Sequence, residues 1–506
     1  MKRTKSILAV VLALTLVFVS GIVAFAADTY SITIKNGAPG HTYEAYQIFA
    51  GDLHEKILSN IVWGSGISDE GKTALGDAAA KAAAIKNEAD AKAFAKEVAP
   101  YLATKKESAT QSDGKYVISG LSAGYYLVKD KDNTLVNADD FNTAYIMKVV
   151  GNVEATPKGS KPSLDKQIKH NESGTWGVVG DNQIGDTVEF RTITAVPDTT
   201  GYATYDYIIH DTMSVGLTSN VNTAADVTIK VNDDDANVLP TDYYTVTANG
   251  NTFSVKVDIL KAITDGKMKA GDKLYTYYTG VLNKDALIYD EGKQSNTAYL
   301  EYSNNPNNDE HGRTQDKTVY DWTFKMGVNK IDGASETALN GAKFVLSKNG
   351  NLEVPCDENG VPTVITDLIG LVKVADGIYR VATDDDTAVV YVIDAGSAVI
   401  KGLDDATDYY LYETKAPDGY NRLQGPVKFK ISAEYNADGS DYTSVTATVG
   451  DTEATGLQAN IKNNKGTELP STGGIGTTIF YIVGAVLVAA AGILLITKKR
   501  MSRAAD

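Results

Sequence analysis

Phe324-Lys325-Met326-Gly327-Val328-Asn329-Lys330-Ile331-Asp332-Gly333 alternates apolar and polar side chains and closes on a turn-forming Asp-Gly pair. Successive side chains of a strand point to opposite faces, so a period of two marks a strand with one face buried. Phe324, Met326 and Val328 share that face, and Lys330 extends the same row. Two later stretches repeat the pattern with other polar residues. Tyr409, Leu411 and Glu413 share a face, as do Leu457, Ala459, Ile461 and Asn463. A buried charge without a partner is costly. The lysine, the glutamate and the asparagine are therefore expected to meet.

Outward from this stretch, most of the 506-residue chain reads the same way: short alternating runs rich in Tyr, Thr, Val, Asp and Gly, broken by turn pairs such as Asn349-Gly350. That pattern predicts an all-β architecture of tandem Ig-like sandwiches. One segment departs from it. From about Ser68 to Leu102 the chain is rich in Ala, Lys and Glu, which favours helix, and one or two helices are expected as an insertion in the first β domain. Proline and polar turn residues near 155–162 and 303–309 mark two boundaries, giving domains over 27–157, 158–316 and 317–466. In the middle domain Leu164, Lys166 and Ile168 share a face, as do Tyr207, Ile209 and Asp211, and Asn296, Ala298, Leu300 and Tyr302. Lys169, the nearest competing amine, points the other way.

Both ends carry export signals. Lys2-Arg3 and Lys5 precede an apolar run from Ile7 to Phe25 and a small-x-small site, Ala24-Phe25-Ala26. Residues 1–26 therefore read as a secretory signal peptide. At the other end, 467–506 holds Leu469-Pro470-Ser471-Thr472-Gly473, an apolar run over 477–496, and Lys498-Lys499-Arg500. Roughly twenty residues at about 1.5 Å each cover the hydrocarbon core of a bilayer, and a basic tail holds the inner side. The predicted fold thus ends in a C-terminal transmembrane helix. A single cysteine, Cys356, rules out an internal disulfide framework in this exported chain.

The C-terminal order resembles the cell-wall sorting signal of Gram-positive surface proteins. The resemblance implies that a sortase cuts between Thr472 and Gly473 and joins Thr472 to an amine. The third domain resembles the CnaB-type domains of Gram-positive pilins and adhesins. Val328-Asn329-Lys330-Ile331-Asp332 with Leu339-Asn340-Gly341-Ala342-Lys343-Phe344 is similar to their first-strand signature, and Tyr410-Leu411-Tyr412-Glu413-Thr414-Lys415-Ala416-Pro417-Asp418-Gly419-Tyr420 to their E-box. Ile461-Lys462-Asn463 is similar to their last strand. This implies an intramolecular isopeptide bond from Lys330 to Asn463 with Glu413 as its catalyst. His210 to Thr218 and Asn296-Thr297-Ala298 resemble the CnaA-type domain, which implies a second bond from Lys166 to Asn296 assisted by Asp211.

The chemistry suits those residue types. Desolvation lowers a lysine pKa and raises that of a carboxylic acid, so both can be neutral in an apolar core. The neutral amine is then a nucleophile, and the protonated acid polarises the amide and moves a proton as ammonia leaves. Each bond forms once per molecule, so the chain is not read as an enzyme. The first domain is similar at Tyr43 to Phe49 and at Gly124 to Lys129, but Lys129 stands where Glu413 stands in the third domain. No bond is expected there by that route. Lys35 remains a possible reactant without a nameable acid.

Val153-Glu154-Ala155-Thr156-Pro157-Lys158 is similar to the pilin motif at Val153, Pro157 and Lys158, and departs from it at Ala155 and Thr156. It implies Lys158 as the acceptor in subunit polymerisation, with Lys161 as a rival. The expected protein is the backbone subunit of a covalent, wall-anchored, extracellular pilus that mediates adhesion. Its expected partners are a pilus (class C) sortase, other copies of itself, accessory pilins, peptidoglycan and host surface ligands. The alternative is a monomeric wall-anchored adhesin or accessory pilin, needing Thr472 but not Lys158. A net charge of −16 argues against nucleic acid. His41, His54, His170, His210 and His311 form no catalytic motif. Asp233-Asp234-Asp235 and Asp384-Asp385-Asp386 lack EF-hand spacing and read as solvated turns. No cofactor or metal is expected.

Overall fold

A computed structural model describes residues 29–35, 41–110, 115–131, 144–155, 162–199, 202–305, 309–466 and 475–502. They divide into two compact units. One runs to Trp322 and includes Tyr435–Tyr442; the other holds Thr323–Glu434 and the chain from Thr443 on.

The first unit begins with a two-sheet domain. Tyr30–Ile34 lies between Tyr116–Leu121, antiparallel to it, and Val153–Ala155, parallel to it. The facing sheet runs Ile57–Trp63, Tyr43–His54, Gly124–Asp130, Ala144–Val149. Gly124 to Val128 is buried without interruption, because this sheet is covered on both faces. Tyr126 and Val128 join Ile32, Ile34, Tyr43 and Tyr116 between the sheets. Tyr125 and Leu127 turn to the other side, where Leu75, Ala78, Ala82, Phe94 and Val98 of the inserted helices pack on Ile48 and Phe49.

The insertion is three helices, Asp69–Leu75, Ala78–Ala84 and Glu88–Val98, rather than one or two. The cause is local. Gly76 takes φ +82°, a conformation that glycine adopts without steric cost. Ser68, Asp77 and Asn87 then each cap a helix start by accepting a backbone N–H, from Gly71, Ala80 and Asp90. Two internal capping residues divide an Ala-rich stretch that composition alone would leave continuous.

The middle domain completes the first unit. One sheet carries Leu164–Lys169, Thr187–Ala195 and Lys273–Leu282 side by side. The other carries Lys317–Trp322, Gln294–Ser303, Tyr207–Met213 and Thr252–Val257. Lys317–Trp322 pairs antiparallel with Gln294–Ser303 and parallel with Val179–Asp181. It is thus an integral strand of the middle sandwich, and the break falls at Trp322/Thr323 rather than at Asp316/Lys317. The polar 303–309 stretch that suggested a boundary precedes the sheet's own strands His311–Arg313 and Lys317–Trp322.

The second unit is a sandwich in which Phe324–Asp332 lies between Ser397–Leu403 and the last strand, Gln458–Asn463. It runs antiparallel to the former and parallel to the latter. The opposing sheet contains Ala342–Ser347, Asp408–Lys415 and Val427–Tyr435. Beyond this sandwich a helix spans Ile475–Ser502; its stretch Phe480–Lys498 has mean hydropathy 2.5 and is long and apolar enough to cross a membrane.

Candidate functional site

In the second unit Lys330, Glu413 and Asn463 come together in the core. The parallel register sets Asp332 against Asn463 and Lys330 against Ile461, so Lys330 and Asn463 lie diagonally across neighbouring strands on the inward face. Glu413 faces them from Asp408–Lys415 of the opposite sheet. The side chains of Lys330 and Glu413 have no exposed surface, and Asn463 is 1% exposed. Lys330 Nζ donates to Asn463 Oδ1 and lies 3.3 Å from Glu413 Oε1. Asn463 Nδ2 donates to Glu413 Oε1 at 2.9 Å and to Oε2 at 3.1 Å. The Leu423 N–H holds Glu413 Oε2 at 2.8 Å. Burial pushes the Lys330 amine below its ordinary pKa, against the opposing pull of the Glu413 carboxyl. Phe344 lies beneath the amine, 5.6 Å from Nζ to the ring centroid.

The middle domain holds a second buried cluster. Lys166 and Asp211 have side chains with no exposed surface, and Asn296 is fully buried. Lys166 comes from one sheet and Asp211 and Asn296 from the other. Lys166 Nζ donates to Asp211 Oδ2 at 2.5 Å. Burial lowers the Lys166 pKa and raises that of Asp211, each partly opposed by the other's charge. Both shifts favour the neutral pair, amine and carboxylic acid.

A fourth residue belongs to this cluster. Tyr278, on Lys273–Leu282, accepts from Lys166 Nζ and donates to Asp211 Oδ2 through its hydroxyl. Asn296 Nδ2 reaches the same oxygen at 3.5 Å. Phe190 and Phe253 pack on its ring at 5.9 and 4.9 Å between centroids. The sequence analysis missed it, although the same criterion finds it: Leu274, Thr276, Tyr278, Gly280 and Leu282 alternate inward, and the tyrosine puts a hydroxyl on that row.

Other candidates lie elsewhere. Lys169 forms a surface pair with Glu189 at 2.7 Å. In the first domain Lys35 pairs with Glu154 at 2.5 Å, with the two side chains 39% and 65% exposed. Lys129 is half-buried, while its neighbour Asp130 is buried against His41 at 2.7 Å. Glu44 is also buried there, engaged by Tyr46 and Lys105. Asp233 takes contacts from Tyr277 and Arg191, Asp235 pairs with Lys230, and Asp386 is held by Arg380. Cys356 is half-buried, its thiol donating to the Val354 carbonyl. The signal peptide, Lys158, Lys161 and Leu469 to Gly473 lie outside the described residues.

Residues 324–443 match the SpaA prealbumin-like fold domain, and residues 461–502 match the LPXTG cell wall anchor motif. The chain is 28% identical over 292 residues to a fimbrial subunit type 1 of Actinomyces viscosus, covering 51% of this chain and 50% of that protein. It is 26% identical over 400 residues to the trypsin-resistant surface T6 protein of Streptococcus pyogenes serotype M6, covering 68% of this chain and 70% of that one. The chain thus spans half the length of the first relative and about two thirds of the second. The solved structure of the T6 backbone pilin superimposes with a TM-score of 0.50 at 16% identity, over 88% of this chain and 100% of that one, a likeness of fold.

Proposed function

We infer that this chain is a major pilin of a Gram-positive bacterium: a structural backbone subunit, anchored in the cell wall, of a sortase-polymerised pilus that serves adhesion. The observation that carries the molecular reading is the contact of Lys330, Glu413 and Asn463 where the first and last strands of the C-terminal domain end side by side.

In this reading the neutral Lys330 amine attacks the Asn463 side-chain carbonyl carbon. A bond forms between Nζ and that carbon, the carbon–Nδ2 bond breaks, one proton passes from Nζ to Nδ2, and ammonia leaves. Glu413 Oε1, within 3.3 Å of one nitrogen and 2.9 Å of the other, carries the proton. Packing supplies the proximity that makes the step effectively unimolecular. Lys166 and Asn296 join by the same exchange of bonds in the middle domain, with Asp211 as the assisting acid. Fixing a loop of this length removes unfolded-state entropy, about 5 kcal/mol per bond by the disulfide loop-closure relation.

Polymerisation uses the other two groups. A pilus (class C) sortase releases Gly473 from Thr472 and passes the Thr472 carbonyl to Lys158 of the next subunit. The last subunit is passed to peptidoglycan, and accessory pilins join by the same chemistry. The test is the wall extract of cells carrying Lys158→Ala. Loss of the high-molecular-weight ladder, with the single wall-linked species retained, supports the backbone reading. A ladder that survives in both Lys158→Ala and Lys161→Ala sinks that acceptor assignment, and a wild type without any ladder sinks the polymer.

A further inference from the structure

The two buried clusters differ in which atom can reach both nitrogens. In the C-terminal domain it is a carboxylate oxygen, Glu413 Oε1, beside Lys330 Nζ and Asn463 Nδ2. In the middle domain the acid is an aspartate, one methylene shorter. Asp211 touches Lys166 Nζ and also interacts with the Asn296 amide, while the Tyr278 hydroxyl oxygen is hydrogen-bonded to both Lys166 Nζ and Asn296 Nδ2. We propose that Tyr278 is a catalytic residue of the middle domain, the relay that carries the proton from the Lys166 amine to the departing Asn296 nitrogen. This rests on the isopeptide reading above and adds a residue to it.

The step balances without any further reactant. As Lys166 Nζ bonds to the Asn296 side-chain carbon, the amine nitrogen becomes cationic and must lose a proton. The amide nitrogen loses conjugation, gains a lone pair, and must take one up before it can leave. The phenol oxygen accepts from Nζ and releases its own proton to Nδ2; carbon–Nδ2 cleavage then expels ammonia, and tyrosine is returned unchanged. Asp211, which accepts from the same hydroxyl, orients it and stabilises the charge that develops during transfer. Asp211 Oδ1 and Asn296 Oδ1 have no hydrogen-bond partner among the described residues, so each is open for a proton on the acid to bind the carbonyl oxygen. Burial and the adjoining carboxyl raise the Tyr278 pKa well above its ordinary value. It therefore acts as a neutral phenol and is not consumed as a base.

The experiment uses the full chain in detergent, digested and mapped for the two cross-linked peptide pairs at intervals after synthesis. In Tyr278→Phe the Lys166–Asn296 pair should form about 10²-fold more slowly, the lower range for loss of a positioned acid–base group. The Lys330–Asn463 pair in the same molecules should be complete from the start. Full Lys166–Asn296 linkage in freshly made Tyr278→Phe overturns the proposal. A wild-type chain that lacks this link overturns the isopeptide reading itself, a different result. If Tyr278→Phe leaves the middle domain protease-sensitive, 3-fluorotyrosine at 278 keeps the size and contacts while making the phenol more acidic. A linking rate changed more than twofold then supports the relay, and an unchanged rate rejects it.

Discussion

Glu413→Gln separates the acid from its packing. Glutamine keeps the volume of the side chain and a carbonyl oxygen for the Asn463 amide and the Leu423 N–H, both of which Glu413 now holds, but it cannot carry a proton between the two nitrogens. The expected molecule is folded and unlinked at Lys330. Lys330 and Asn463 are 133 residues apart in sequence, and closing a loop of that size is worth about 5 kcal/mol. A domain of roughly 140 residues at about 2.1 cal/mol/K per residue melts with an entropy near 0.3 kcal/mol/K, so the loss corresponds to roughly 17 °C in Tm. Intact mass at isotopic accuracy and calorimetry are read on the same sample. The variant should regain one ammonia relative to wild type, and only the C-terminal transition should move. A Glu413→Gln chain that retains the full mass deficit refutes the role of the acid. An unlinked variant melting within a few degrees of wild type refutes the energetic argument.

Asp211→Ala should restore a single ammonia and leave the Lys330–Asn463 peptide pair intact; loss of both links would mean the domains mature together. Asn296→Ala leaves Lys166 as a free buried amine whose folded pKa lies below its ordinary 10.5. Stability from such a group is fully present above 10.5 and is lost as pH falls through the folded value, so the Tm gap between linked wild type and Asn296→Ala should shrink from pH 7 to pH 10. A gap that widens counts against that direction. Wild type should lack two ammonias in all, since the buried acids of the first domain are occupied by His41 and by Tyr46 and Lys105; a third lost ammonia would show a bond there. Phe94→Ala removes a ring stacked 5.3 Å from Phe49 and should cost about 3–5 kcal/mol, seen as early melting of the first domain alone.

Much of the site was legible because it breaks a rule that strands otherwise keep. Lys330, Glu413 and Asn463 each stand on an apolar row, and the only low-energy arrangement of three such residues is together. Tyr278 breaks the rule more quietly. A tyrosine buries well on its ring alone, so a place on the inward row with Leu274, Thr276, Gly280 and Leu282 does not by itself mark its hydroxyl as part of the cluster. Strand alternation turns it inward, and the pairing of Lys273–Leu282 with Thr187–Ala195 sets it opposite Phe190, where its hydroxyl meets Lys166. The same limit explains the misplaced boundary. Asn304 to Asp309 has the composition of a linker, yet the next strands return to the middle sheet through pairings with residues 294–303 and 179–181, and composition does not encode pairing partners. The helices failed on a smaller scale, where Gly76-Asp77 and Asn87 act as stops within an Ala-rich run.

The side-by-side ends of the first and last strands of the C-terminal sandwich have a consequence for cleavage. Lys330 is near the end of Phe324–Asp332, and Asn463 is the last residue of Gln458–Asn463. With an amide between them, the main chain from Ile331 to Lys462 becomes a closed side loop, and the connection from the chain before Lys330 to the chain after Asn463 runs through two side chains instead. A protease that nicks one peptide bond in that loop opens the ring but leaves the chain before Lys330 joined to the chain after Asn463. In the proposed pilus, cleavage anywhere between Lys330 and Asn463 would therefore leave the filament continuous.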